Sequence, residues 1–205
     1  MNSAASDATQ IVDASALPSH AFGHRSMMWW GVMGMIAIEG TVFALAIAVY
    51  LYVRKDFTEW PPVARPPELL WGTLNTLILI VSMVPNQWAK RAAERYDGRK
   101  VRWALIACLI FSAAFLSVRV LEFGSLNCRW DSNAYGSAIW MLLGLHTLHL
   151  LTDTYDTAVL TALMWFGPVE DKRFVDVSES AVYWYFVVIA WLPVYAIIYF
   201  GARLL

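Results

Sequence analysis

The chain is 205 residues long, 59% hydrophobic and only 15% charged, with a mean hydropathy of +0.51. That balance is too apolar for a water-soluble domain of this length and points to a bilayer as solvent. A net charge of −1 excludes a broad basic field for nucleic acid, and two cysteines without CxxC or His/Cys spacing exclude a zinc or iron–sulfur signature.

Residues 1–28 are rich in Ala and Ser, carry Asp7 and Asp13, and have no apolar core of the kind a cleaved signal peptide needs. They read as a disordered tail, with the apolar run after them as an uncleaved anchor. Five runs then reach the roughly 20 apolar residues a spanning helix requires. They cover about 29–53, 69–89, 101–123, 136–166 and 179–201. The runs are continuous and not alternating, so helices are the way to satisfy their backbone in lipid. The predicted fold class is all-α: a polytopic membrane protein, a bundle of five transmembrane helices. Short connections predict that sequential helices are antiparallel neighbours. The first connection, RKDFTEWPPVARPPE, is stiffened by its prolines. Pro85 and Pro193 are expected to kink or end their helices. Cys108 lies inside the third run and Cys128 in the loop after it, so no disulfide between them is expected.

Lys and Arg set the predicted orientation. Nine stand on one side: Arg25, Lys90, Arg91, Arg95, Arg99, Lys100, Arg102, Lys172 and Arg173. Five stand on the other: Arg54, Lys55, Arg65, Arg129 and Arg203. The N-terminus is therefore expected in the cytoplasm and the C-terminus outside. Trp29, Trp30, Trp71, Trp88, Trp103, Trp140 and Trp165 fall near predicted helix ends, as an interfacial belt does.

Ionisable groups inside the spans are costly and need partners. Glu39 sits ten residues into the first run, roughly 15 Å along it at 1.5 Å per residue, near mid-bilayer. Such a carboxyl must be protonated or hydrogen-bonded, and it serves either to handle protons or to tie two helices together. The fourth run carries His146, His149, Asp153 and Asp156 at offsets 0, 3, 7 and 10. At 100° per residue they share a stripe roughly 80° wide, which has to face protein. His149 comes at about the depth of Glu39, so Glu39 is predicted to meet one of the two histidines. Arg119 and Glu122, three apart, are placed to pair, or else Arg119 snorkels to headgroups. Asn75, Thr73 and Thr76 read as interhelical contacts. Histidines three apart on one helix cannot clasp both faces of a haem, and a single Glu/His set lacks the symmetric partner of a bundle metal site. A hydrogen-bonded polar network is the favoured reading. No GxSxG, Walker, HExxH or CxxCH motif is present, so catalytic residues are expected to be none.

The residue patterns go further. RSMMWWGVMGMIAIEGTVFALAIAVYLYVR, LLWGTLNTLILIVS, FLSVRVLEF, NAYGSAIWMLLGLHTLHLL and VYWYFVVIAWLPVYAIIY occur in that order over residues 25–201. Together they resemble the core of subunit III of the haem-copper (cytochrome c type) terminal oxidases, in its short five-helix bacterial form. The resemblance puts Glu39, Glu122, Gly144, His146 and His149 on family positions. The chain differs from the family pattern at Arg119, where Gln is common, and at Thr147 and Asp153, where Gly is common. Tyr185 and Val188 stand where the family usually has His and Asp. The resemblance implies a subunit without cofactors of its own, with haem and copper in partner subunits I and II. It further implies a place in the cytoplasmic (inner) membrane of a bacterium, bound phospholipid, a stabilising role toward the catalytic subunit and help with proton supply. The accessory subunit of nitric oxide reductases shares the five-helix plan. A small transporter using the polar stripe is the alternative from another class, although no inverted repeat is seen.

Overall fold

The computed structural model describes residues 21–62, 65–201 and 203. A single 3-10 turn, Gly23–Arg25, precedes five α-helices: α1 (Met27–Arg54), α2 (Leu69–Glu94), α3 (Gly98–Gly124), α4 (Ala134–Phe166) and α5 (Asp171–Tyr195). The last runs on as a π-helical segment, Ala196–Gly201. No strand occurs among the described residues. All five helices are long and apolar enough to cross a membrane, and the chain is read as a multi-pass membrane protein. Of the tail expected over 1–28, residues 1–20 lie outside the described residues.

Side-chain caps start three of the helices. Ser26 Oγ accepts from Met28 N–H (3.1 Å) before α1, Asp97 Oδ1 from Lys100 N–H (3.1 Å) before α3, and Asn133 Oδ1 from Gly136 N–H (2.7 Å) before α4. Asp97 also pairs with Lys100 Nζ at 2.7 Å. The Lys100 side chain and then its backbone N–H hold the Asp97 carboxyl below its ordinary range.

Two helix ends differ from the hydropathy reading. The second helix continues five residues past 89, because Ala89, Ala92 and Ala93 stay buried against Val101 and Ala104 of α3. The fifth begins at Asp171, eight residues before 179, since Phe174, Val175 and Val177 bury one face of a polar-looking stretch. Both extensions are amphipathic turns beyond the lipid-facing run, where periodicity and not mean hydropathy carries the helix. Neither internal proline ends its helix: Pro85 lies mid-α2, and Pro193 is followed by the π-helical segment.

Packing departs from the sequential expectation at one point. α2, α3, α4 and α5 form the compact part, with α2 against α3 and α5, and α4 against α3 and α5. The first helix packs against α4 and α5 instead of its sequence neighbour α2. Its connection to α2 is long enough to allow this, and its few buried residues, Phe43, Ala46 and Tyr50, join the core there. Only 11% of its most apolar stretch is buried, against 50% for the fifth span, so α1 is the peripheral helix. Trp60, in the connection and preceding a cis Trp60–Pro61 bond, donates to Tyr50 Oη at 2.7 Å and packs edge-on to Tyr135. Gly72 permits a close approach to the end of the fifth span, because a Cβ there would enter the Tyr199 ring. Cys108 and Cys128 are both free.

Candidate functional site

Two clusters of ionisable side chains lie inside the spans. The first centres on Glu122. Arg119 and Glu122, one turn apart on α3, pair at 2.8 Å with side chains 1% and 0% exposed, so Arg119 does not snorkel. Three further helices close around the pair. Asn75 Nδ2 of α2 donates to Glu122 Oε2 at 2.5 Å, and Tyr199 Oη of the π-helical segment donates to Oε1. Arg119 Nη2 donates to His146 Nδ1 of α4 at 3.2 Å. The guanidinium lies 4.2 Å from the Trp191 ring and 4.8 Å from Phe115. A cation held this way exchanges water for a carboxylate, an imidazole and two π-faces.

The His146 tautomer follows from its neighbours. A guanidinium is a donor only, so Nδ1 is the acceptor. Nε2 lies 3.1 Å from the Val187 carbonyl, which accepts, so the proton sits on Nε2. His146 is thus a neutral strut joining α3, α4 and α5, completely buried beneath Trp191.

The second group centres on Glu39. Tyr183 Oη of α5 donates to Glu39 Oε2 at 2.7 Å. His149 Nδ1–H donates to the Leu145 carbonyl at 2.7 Å, which turns Nε2 toward Glu39 Oε2 at 3.7 Å. That gap is longer than a direct hydrogen bond. These contacts are the polar attachment of α1 to α4 and α5. Glu39 keeps 23% of its side chain exposed and His149 12%. Asp153 is buried, and Asp156, one turn on, is exposed. The polar stripe of α4 therefore does not act as one unit. His146 faces the ion pair, His149 faces Glu39, and the two aspartates border a groove between α1, α4 and α5.

Several partners were not singled out as site residues from the sequence. Tyr183, Tyr199 and Trp191 read as members of an aromatic helix, and only their position opposite carboxyls and hydroxyls reveals their polar ends. Trp191 Nε1 donates to Thr76 Oγ1 (2.8 Å), Thr73 bonds Tyr195 Oη (2.8 Å), and Asn86 Nδ2 donates to the Ala181 carbonyl (3.0 Å). Tyr185 Oη donates to Gln87 Oε1. Glu179 is a further buried carboxyl at the α5 end of the groove, and its position just after the charged loop hid it among interfacial residues.

The arrangement does structural chemistry well. Glu122 and Glu39 are each set against donors from other helices. Among the described residues, no three His, Cys, Asp or Glu side chains gather closely enough to hold a metal ion.

Comparison with known proteins agrees with this architecture. The chain is 26% identical over 189 residues to cytochrome c oxidase subunit 3 of Thermostichus vulcanus, covering 90% of this chain and 92% of that protein. It is 28% identical over 188 residues to probable cytochrome c oxidase subunit 3 of Mycobacterium tuberculosis, covering 88% and 91%. With cytochrome c oxidase subunit 3 of Synechocystis sp. it shares 25% over 183 residues, covering 86% and 77%. The family described as cytochrome c oxidase subunit III matches residues 10–203, nearly the whole chain, and the chain belongs to that family.

Proposed function

We propose that the chain is the non-catalytic third subunit of a respiratory haem-copper terminal oxidase, seated beside subunits I and II in a bacterial cytoplasmic membrane. The haem and copper of that complex belong to the partner subunits. The observation that carries the role is the buried cluster of Arg119, Glu122, His146, Asn75 and Tyr199, which joins α2, α3, α4 and the end of the fifth span. A bundle fastened in this way is a stiff lateral support for a catalytic neighbour. The polar groups at Glu39, Tyr183 and His149 supply a second, partly open tie, which fits a secondary part in proton supply. The N-terminus is assigned to the cytoplasm and the C-terminus to the outside, from the excess of Lys and Arg in the α2–α3 and α4–α5 connections. The apolar surface left on α1 faces lipid or a partner subunit, and bound phospholipid belongs to the same reading.

Affinity purification of the tagged chain from native membranes tests the assignment. The expected co-eluting protein is an oxygen-reducing haem-copper subunit. Deleting the chain should leave that enzyme active at first but lost faster during sustained turnover. Co-elution of a nitric oxide reductase, or of no haem protein, would overturn it.

A further inference from the structure

Asp153, like Asp156 and Glu179, belongs to neither polar group. It is 4% exposed, and none of the side-chain hydrogen bonds described above reaches its carboxyl. Two spaces meet at it. One is a narrow, largely closed chamber between α2, α3, α4 and α5, lined by Ser82, Asn86, Cys108, Ser112, Thr157 and Ser180 as well as Asp153. It leaves ≈ 10 Å³ for a water's centre, about what one buried water requires. The other is an open groove of ≈ 670 Å³ between α1, α4 and α5.

Two of the chamber's polar side chains are committed elsewhere. Ser82 Oγ donates to the Leu79 carbonyl and accepts from Trp184 Nε1, and Asn86 Nδ2 donates to the Ala181 carbonyl. A void lined by a buried carboxyl and by the hydroxyls of Ser112, Thr157 and Ser180 is polar on several sides, which is where a buried water finds its hydrogen bonds. The groove side is equally distinctive. Glu39 faces it from α1, Asp156 from α4, and Asp176, Glu179 and Tyr183 from α5, with Lys172 and Arg173 at its α4–α5 loop end. Cys108 of α3 faces Asp153 from the chamber, while α2 presents only neutral Ser82 and Asn86. Met28, Val32, Met35, Val159, Leu160 and Leu163 line the rest of the groove, but acids and bases along its wall favour water over acyl chains.

We infer that Asp153 holds one ordered water in the chamber and exchanges its proton with water in the groove. The step is acid–base only. A hydronium in the groove gives its proton to the carboxylate, leaving water and a neutral carboxyl, and the reverse returns it. The chain thereby carries a loadable proton site at bilayer depth, distinct from Glu39 and open to the Lys172 side.

Infrared difference spectroscopy on the purified complex in lipid tests this, comparing wild type with Asp153→Asn. The expected result is a protonated-carboxyl band lost in the variant, which in wild type shifts promptly on transfer to deuterated buffer. A band that does not shift, or no band lost at any pH tried, overturns the inference. Should Asp153→Asn fail to assemble, Asp153→Glu is expected to move the band instead of removing it, and an unmoved band refutes the assignment equally. A second measurement leaves Asp153 in place. With Cys108 and Cys128 replaced by Ser, a cysteine at Val159 in the groove is labelled with a membrane-impermeant thiosulfonate added on the Lys172 side. It should react faster than one at lipid-facing Leu148, and equal rates would mean that acyl chains fill the groove. Neither readout uses oxygen consumption, so the outcome is separable from the partner assignment.

Discussion

Arg119 decides how the interior of this bundle is held together. A guanidinium at bilayer depth costs about 2.5–3.5 kcal/mol on insertion scales when unpaired. Here it is fully enclosed, with its charge set against Glu122 and its face against Trp191. Removing one member strands the other, so Arg119→Leu or Glu122→Leu alone should lower stability by about 3–5 kcal/mol. Replacing both by Met and Leu should recover a large part of that loss. Thermal unfolding of the purified complex, followed as a double-mutant cycle, measures both. A cycle showing simple additivity would mean that the pair is not coupled. The pair itself was legible in the sequence, because residues three apart on a helix adjoin. Asn75, His146 and Tyr199 as its companions were not. They come from three other helices 24 to 80 residues away along the chain, and no local spacing records which of them meet.

Single helices carry their own consequences. Gly72 lets α2 approach the end of the fifth span so closely that Tyr199 occupies the space of its missing side chain. Gly72→Ala should push the Tyr199 ring away and detach its hydroxyl from Glu122, costing about 1–3 kcal/mol as overpacking does. Loss of thermal stability that is relieved by Tyr199→Leu would identify the clash as the cause. At the start of α3, the capping carboxylate of Asp97 has its acidity strengthened by Lys100. A group whose folded value is depressed contributes stability above its unfolded value and loses it as pH falls through the folded one. The first turn of α3 should therefore fray on acidification. Asp97→Asn should keep the cap but flatten this pH dependence, as read by hydrogen exchange at the Lys100 amide. Helix number and centres were legible from hydropathy. The extra turns of α2 and α5 were not, because alanines and charged residues that pack in the headgroup region do not raise a hydropathy average.

For the whole molecule, sidedness is the property most open to direct test. Cys128 lies in the α3–α4 connection, and Lys172 starts the opposite face at the head of α5. In right-side-out vesicles, an impermeant thiol reagent should reach Cys128, and a Lys172→Cys variant should react only after permeabilisation. Partial burial pushes the Cys128 thiol up, so its labelling should quicken as pH rises. The opposite pattern would invert the topology. Pairing of α1 with α4 and α5, the one departure from sequential packing, was hidden because loop length limits reach without choosing a partner.

That packing has a bearing on how the chain is made. The ribosome releases α1 first, yet the helices that receive it follow only after α2 and α3. Until Tyr183 and His149 emerge, Glu39 has no tether and its helix stands alone in the insertion machinery. Delivery into the bilayer and docking are thus separate events for α1, some hundred residues of translation apart. A nascent chain stalled before α4 should leave α1 cross-linkable to insertase components, and one stalled after α5 has cleared the exit tunnel should release it.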